Sequence, residues 1–254
     1  MELQDSLTTL PSRNIEPYAI SYDSPETLSG FADKQKITYP LLSDPDSRVI
    51  REFGILNTLV PEDNRRFGMP FPGSYTVDEH GTVFDKSFYA DHAVRDSVFS
   101  VIQEKFEIQD AERGTVQVVE TGAARVSAWL SADTIRRGQV HTLTVEIQVR
   151  EGLHIYGNPL PPGYVATRLT FDDLEDVQFD EVSYPDPRPV YLEASSETVQ
   201  VYEGIVVLKT QILSKRRESF SVRAHLDIQA CDDRECLLPE TVDLELPLKF
   251  LEMP

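Results

Sequence analysis

The sequence predicts two domains of different class: an α/β domain over residues 1–107 and an all-β sandwich over residues 115–254, with a linker at 108–114 between them. Three observations predict this. Helical and extended patterns alternate through residues 1–107. From residue 115 onward, period-two alternation dominates, broken by Pro- and Gly-rich connections. The stretch between them, Ile-Gln-Asp-Ala-Glu-Arg-Gly, carries neither period.

In the first domain, Leu3, Leu7 and Leu10 recur at helical spacing, and Pro11 and Asn14 close that segment. Ile15 to Tyr22 reads as a buried strand. Asp23-Ser24-Pro25-Glu26 is a helix start: a capping residue, a proline in the first turn, then an acid at the positive end of the dipole. Leu28, Phe31, Ala32 and Gln35 continue that helix. Val49, Ile50 and Phe53 mark another, ended by Gly54. Ser74–Asp78 and Thr82–Phe88 are two strands joined by Glu79-His80-Gly81, and Val94–Phe106 is a closing helix. The predicted order is α-β-α-α-β-β-α.

In the second domain, Val140, Leu143, Val145, Ile147 and Val149 form the apolar side of a long strand with Thr144, Glu146 and Gln148 opposite. Phe220, Val222, Ala224, Leu226 and Ile228 repeat the pattern, as do Leu244, Leu246 and Leu248. Connections at Gly157–Gly163 and Tyr184–Pro189 are rich in proline and glycine. Together these argue an antiparallel sandwich.

Charge narrows the possible partners. The chain has 24 Lys and Arg against 43 Asp and Glu, a net charge of −19. Residues 1–110 carry −9 and residues 111–254 carry −10, so the acidity is a solvated surface and not a tail. A phosphate backbone or an anionic membrane would repel it, which excludes nucleic acid as an expected partner. No run of about 18 apolar residues occurs, so no membrane span is expected. Met1-Glu2-Leu3-Gln4-Asp5 has neither a basic n-region nor an apolar h-region, so no secretory signal is expected in these residues.

The chemistry is concentrated in two cysteines. Cys231 and Cys236 flank Asp-Asp-Arg-Glu, which is turn material, after a long alternating strand. The two thiols are expected to face each other across a hairpin tip, within the Cα separation of about 4.4–6.8 Å that a disulfide needs. So short a loop gains little from closure entropy, so a bridge at an exposed tip fits opening and closing by exchange better than stabilisation. Asp232, Asp233 and Glu235 disfavour a thiolate and only Arg234 opposes them, so the pair suits a disulfide attacked by a partner's activated thiolate. Three readings stay open here: a redox-active pair, a structural disulfide and a metal site. His225 cannot share an ion with Cys231, because six residues of strand span roughly 20 Å.

Other candidates have ordinary readings. His80 is a hairpin-tip residue and His92 precedes a helix. Asp172-Asp173 with Glu175-Asp176 lacks the spacing of a calcium loop and reads as a solvated turn. There is no glycine-rich phosphate loop and no Ser/His/Asp order, so no cofactor and no metal is expected.

Several first-domain segments together resemble the AhpC/TSA peroxiredoxin-like branch of the thioredoxin superfamily: Ala19–Glu26, Tyr39-Pro40-Leu41-Leu42-Ser43-Asp44-Pro45, Phe53-Gly54-Ile55 and Gly68–Asp78. The resemblance implies a thioredoxin fold and an antioxidant, redoxin-type oxidoreductase. It also implies a cis-proline at Pro72, beside the family's active site. The family begins with a central strand and a cysteine motif, whereas this chain opens within the first helix and residues 1–230 hold no cysteine. The usual arginine before the later strand is also replaced, by Phe71-Pro72. The domain is therefore expected to be N-terminally incomplete, without peroxidase activity. Two interior strands would then lack a partner, and truncation is the expected cause.

Gly152-Leu153-His154-Ile155-Tyr156, Tyr184-Pro185, Val201-Tyr202-Glu203-Gly204, Gln229-Ala230-Cys231 through Cys236 and Pro239-Glu240-Thr241 resemble the amino-terminal periplasmic domain of DsbD. The resemblance implies an immunoglobulin-like sandwich in which Cys231 and Cys236 are the redox pair. It implies further that His154 and Tyr156 lie near the pair, and that Pro187–Ser195 is an irregular loop capping it. The implied partners are thioredoxin-like redox proteins or a membrane-embedded thiol reductant, and the implied compartment is the periplasm or cell envelope. The expected function is a disulfide relay through Cys231–Cys236, with fusion raising the effective concentration of two redox centres in an intact version. The alternative is a non-catalytic protein- or peptide-binding module with a structural disulfide.

Overall fold

The computed structural model describes residues 2–8, 10, 14–106, 113–192, 197–232 and 234–252. The chain divides into two compact units, residues 1–111 and 112–254. Most of the expected linker at 108–114 lies outside the described residues.

The first unit opens with helix α1 (Glu2–Asp5), continued by one 3-10 turn (Ser6–Thr8). Leu10 is buried against Ile102, with Leu3, Leu7, Ile15 and Val98 packed around them. Strand β1 (Ala19–Ser21) is shorter than the predicted Ile15–Tyr22. Helix α2 (Pro25–Gln35) starts where the sequence places it: the Ser24 side chain accepts a hydrogen bond from the Thr27 N–H, and Pro25 occupies the first turn, where a missing N–H costs nothing. Strand β2 (Leu41–Ser43), absent from the predicted order, pairs in parallel with β1. Helix α3 (Arg48–Glu52) is capped by Asp44, whose carboxylate accepts from the N–H groups of Arg48 and Ile50.

Strands β3 (Gly73–Val77) and β4 (Val83–Phe88) form the predicted hairpin. Its turn needs a left-handed residue, which Gly81 supplies at φ +83°. Asp78 secures it by accepting from the N–H groups of His80 and Thr82. A two-residue strand β5 (Arg95–Asp96) precedes helix α4 (Val98–Lys105), shorter than the predicted Val94–Phe106. Among the described residues, β1–β2 and β3–β4 stay two separate two-stranded sheets.

Pro72 does not adopt the cis bond expected of it. The cis peptide bond among the described residues joins Asn158 and Pro159. The Phe71 N–H donates to the Ile55 carbonyl and the Tyr89 N–H donates to the Pro72 carbonyl. Extended pairing on both sides of Pro72 is thus met with the trans bond, the intrinsically favoured form.

The second unit contains β6 (Gln117–Glu120), β7 (Ala124–Leu130), β8 (Thr134–Ile135), β9 (Gln139–Val149) and β10 (His154–Tyr156). It continues with β11 (Arg168–Phe171), β12 (Val177–Phe179), β13 (Arg188–Leu192) and β14 (Glu197–Tyr202). The last strands are β15 (Ile205–Ser214), β16 (Phe220–Ile228), β17 (Ala230–Cys231) and β18 (Glu240–Phe250).

One sheet has the order β12-β15-β9-β7-β6 and the facing sheet β11-β16-β18-β8. Each of these neighbours is antiparallel except the short β18–β8 pair. Their inner faces share one core: Val126, Leu143, Val145, Ile147 and Leu208 from the first meet Leu169, Val222, Leu226, Leu244 and Leu246 from the second. Burying each such side chain stabilises by about 1.5–3 kcal/mol, which is why period-two patterning specifies this arrangement. The result is an immunoglobulin-like sandwich. A third sheet, β13-β14-β10-β17, is reached where the chain leaves β16 at Ile228 and, after Gln229, enters β17. This third sheet carries the cysteines.

Candidate functional site

Strand β10 lies between β14 and β17, with His154 opposite Cys231 and Ile155 opposite Ala230. Because side chains alternate, Ile155 and Ala230 enter the main core while His154, Tyr156 and Cys231 share the other face. On that face Tyr156, Val199, Val201 and Cys231 form a second cluster, with Leu160, Tyr164, Val190 and Leu192 packed against it.

Cys231 and Cys236 are disulfide-bonded, with a Cα separation of 4.0 Å, just short of the expected range. The tip that joins them is tied by its own backbone. The Asp232 N–H donates to the Glu235 carbonyl at 3.0 Å, and the Asp232 carboxylate accepts from the Arg234 and Glu235 N–H groups at 2.7 Å each. These bonds also hold the Asp232 carboxyl below its ordinary pKa, that of Glu235 foremost. The tip is not uniformly exposed, as the sequence had implied. Cys231 is 2% exposed, whereas Cys236 faces solvent.

Tyr156 reaches both sulfurs. Its hydroxyl donates to Cys231 Sγ at 2.8 Å and stands 3.6 Å from Cys236 Sγ. Burial, and then the neighbouring Tyr164, push its pKa up to about 12. It therefore stays a neutral O–H donor throughout the range in which thiols exchange. The Tyr164 ring packs 4.9 Å from it, and the His154 ring stands edge-on at 5.5 Å. His154 is itself buried in the strand.

The structure thus brings four of the predicted site residues together, Cys231, Cys236, His154 and Tyr156, and leaves Pro72 in the other unit. Within Pro187–Ser195, the described part is not irregular. Arg188–Leu192 is a strand, antiparallel to β14, whose Val190 and Leu192 pack into the cysteine cluster. Residues 193–196 lie outside the described residues. Leu160 and Tyr164, which pack against the cluster that holds Tyr156 and Cys231, come from a Pro/Gly-rich connection with no periodicity to flag them.

The remaining candidates lie elsewhere. His80 and His92 are exposed. His225 pairs with Asp243 at 2.7 Å and Asp172 at 3.0 Å, and those carboxylates, Asp243 foremost, hold its pKa above the ordinary value. Among the described residues no group of His, Cys, Asp or Glu could hold a metal ion, and no helix is long and apolar enough to cross a membrane.

Comparisons with known proteins bear on both units. Residues 1–86 match the AhpC/TSA family, and residues 125–247 match the N-terminal region of the thiol:disulfide interchange protein DsbD. A putative peroxiredoxin bcp of Haemophilus influenzae is 33% identical over 97 residues, covering 35% of this chain and 59% of that protein. The chain spans little more than half the length of the curated relatives it matches first. The N-terminal periplasmic domain of ScsB from Proteus mirabilis is 17% identical, covering 54% of this chain and 51% of that one at a TM-score of 0.39. The reduced DsbD N-terminal domain of Neisseria meningitidis is 13% identical, covering 41% of this chain and 74% of that one at a TM-score of 0.31. The family matches join a thioredoxin-like AhpC/TSA region to a DsbD-like sandwich, an architecture with a thiol–disulfide redox role.

Proposed function

We propose that this protein relays electrons by disulfide exchange at Cys231–Cys236, with Cys236 as the sulfur attacked and Cys231 as the leaving group. The observation that carries this is the asymmetry of the pair. Cys236 is an exposed residue, whereas Cys231 is buried with the Tyr156 hydroxyl 2.8 Å from its sulfur.

The chemistry follows from which sulfur can be reached. A partner thiolate attacks Cys236 Sγ, forming a mixed disulfide and breaking the Cys231–Cys236 bond. The electron pair of that bond departs on Cys231 Sγ, where the Tyr156 O–H donates to the developing thiolate; bonds to charged acceptors are stronger than neutral ones. The partner's second thiolate then attacks its own sulfur in the mixed disulfide and releases Cys236. The partner dithiol is oxidised to a disulfide, and the pair gains two electrons and takes up two protons. The reverse sequence oxidises Cys231 and Cys236 and reduces the partner. Buried thiolates are disfavoured, so without the tyrosine the leaving sulfur would be poor.

The partners proposed are thioredoxin-like redox proteins or a membrane-embedded thiol reductant, and the compartment proposed is the periplasm or cell envelope. Peroxide reduction at a thiol of the first unit has no place in this scheme, because residues 1–230 contain no cysteine.

The test is conjugation to a thioredoxin that carries one activated cysteine. Cys231→Ser, which keeps the exposed thiol, should form the mixed disulfide at least about tenfold faster than Cys236→Ser, which keeps the buried one. Equal or reversed rates would contradict the assignment.

A further inference from the structure

The surroundings of Cys236 bear on which thiols reach it, a question that rests on the exchange step proposed above. We infer that the rim of Cys236 is a selectivity filter: the carboxylates of Asp232 and Glu235 disfavour anionic low-molecular-weight thiols, and Leu237–Leu238 dock a protein dithiol whose attacking cysteine sits in apolar, non-acidic surroundings.

The apolar half of the rim is fixed in place. The Leu237 N–H donates to the Ala230 carbonyl at 2.8 Å, and Gln229 Nε2 donates to the Leu237 carbonyl at 3.4 Å. Yet Leu237 is 38% exposed and Leu238 88% exposed, immediately after the exposed Cys236. Single exposed leucines are common on protein surfaces. Here two adjacent ones directly follow the exposed cysteine of an exchangeable bond, the first of them anchored through its backbone, and covering them with a partner removes apolar area from water.

The charged half works by repulsion. Between the two cysteines the sequence places three acids, Asp232, Asp233 and Glu235, and one cation, Arg234, on a chain of net charge −19. Asp232 is locked toward the tip by the Arg234 and Glu235 N–H groups and stays ionised wherever thiolates exist. Glutathione brings a thiolate of net charge −2, mercaptoethanol one of −1 and cysteamine one of 0, so the three meet the rim with graded repulsion. A protein dithiol framed by apolar or basic residues avoids the repulsion and gains the leucine contact, which is the complementarity that commits this surface to such a partner.

The experiment uses the oxidised 254-residue protein and measures the first exchange step per thiolate, by alkylation quench and intact mass. At an ionic strength of about 0.01 M the rates should run cysteamine, mercaptoethanol, glutathione, spanning roughly tenfold; at about 1 M they should converge to within roughly twofold. Glu235→Gln should narrow the low-salt span. Leu238→Ser should slow reduction by reduced thioredoxin about fivefold and leave the three small thiols unchanged. A charge-independent series at low salt, or a Leu238→Ser variant that slows every thiol alike, would overturn the filter. The salt comparison needs no variant. Failure of all four thiols to reduce the disulfide would instead overturn the exchange step on which the filter rests.

Discussion

The Tyr156 hydroxyl donates to the sulfur of Cys231 at 2.8 Å, across a pair of strands that sets Cys231 opposite His154, two residues from the tyrosine. The contact is a product of sheet register. Moving β17 one residue against β10 would send Cys231 into the main core beside Ile155 and leave the hydroxyl without the sulfur. The Val199–Val201 face and the Tyr164 ring then hold the phenol in place.

Tyr156→Phe removes the donor and keeps the ring that fills the cluster. Exchange should slow about tenfold or more, since a hydrogen bond to a charged group is worth about 1.5–3 kcal/mol. Thermal stability should change little. Rates with one small thiol, followed by alkylation and mass, check this; an unchanged rate would remove the tyrosine from the step.

His141 gives the sandwich a pH dependence of its own. It is buried, with Nδ1 2.9 Å from Ser131 Oγ, and burial lowers its pKa from 6.5 to about 4. The unfolded chain takes up this proton below pH 6.5, but the folded chain does so only near 4. The contribution to stability is therefore complete above pH 6.5 and lost as pH falls toward 4, about 3 kcal/mol in all. Denaturant unfolding between pH 7 and 4.5 should show a wild-type slope that His141→Gln flattens. Parallel curves for the two proteins would contradict the assignment.

Gly73 has a role no other residue can fill. A Cβ there would overlap the Ser87 carbonyl oxygen and the Phe88 ring across the β3–β4 pair. Gly73→Ala should open that pair and cost more than about 2 kcal/mol, a size that a steric conflict with backbone readily reaches. Hydrogen exchange at the β3 and β4 amides is the check, and native protection in the variant would refute the conflict.

The long strands of the sandwich were legible because one buried face forces alternation: β16 and β18 bury every second side chain. Strand β2 was not, since three residues after Pro40 are too few to display a period. Strand β13, with Pro189 inside it, falls within the stretch that the DsbD resemblance implies is an irregular loop. It is an edge strand, the position at which a residue without an N–H is tolerated. The cysteine pair was legible from its spacing, and Tyr156 only through the DsbD resemblance. The asymmetry of the two sulfurs was not legible. Two identical residues five apart differ because Cys231 belongs to the cluster against which Leu160, Tyr164, Val190 and Leu192, distant in sequence, pack.

The reduction potential of Cys231–Cys236 separates a relay from a staple, measured on the 254-residue protein in glutathione or dithiothreitol redox buffers and read by alkylation and mass. An exchange-active pair should fall between roughly −270 and −120 mV, the span of thiol–disulfide oxidoreductases. A value below about −300 mV, resistant to glutathione, would make the bridge a structural staple and the protein a binding module in place of a relay.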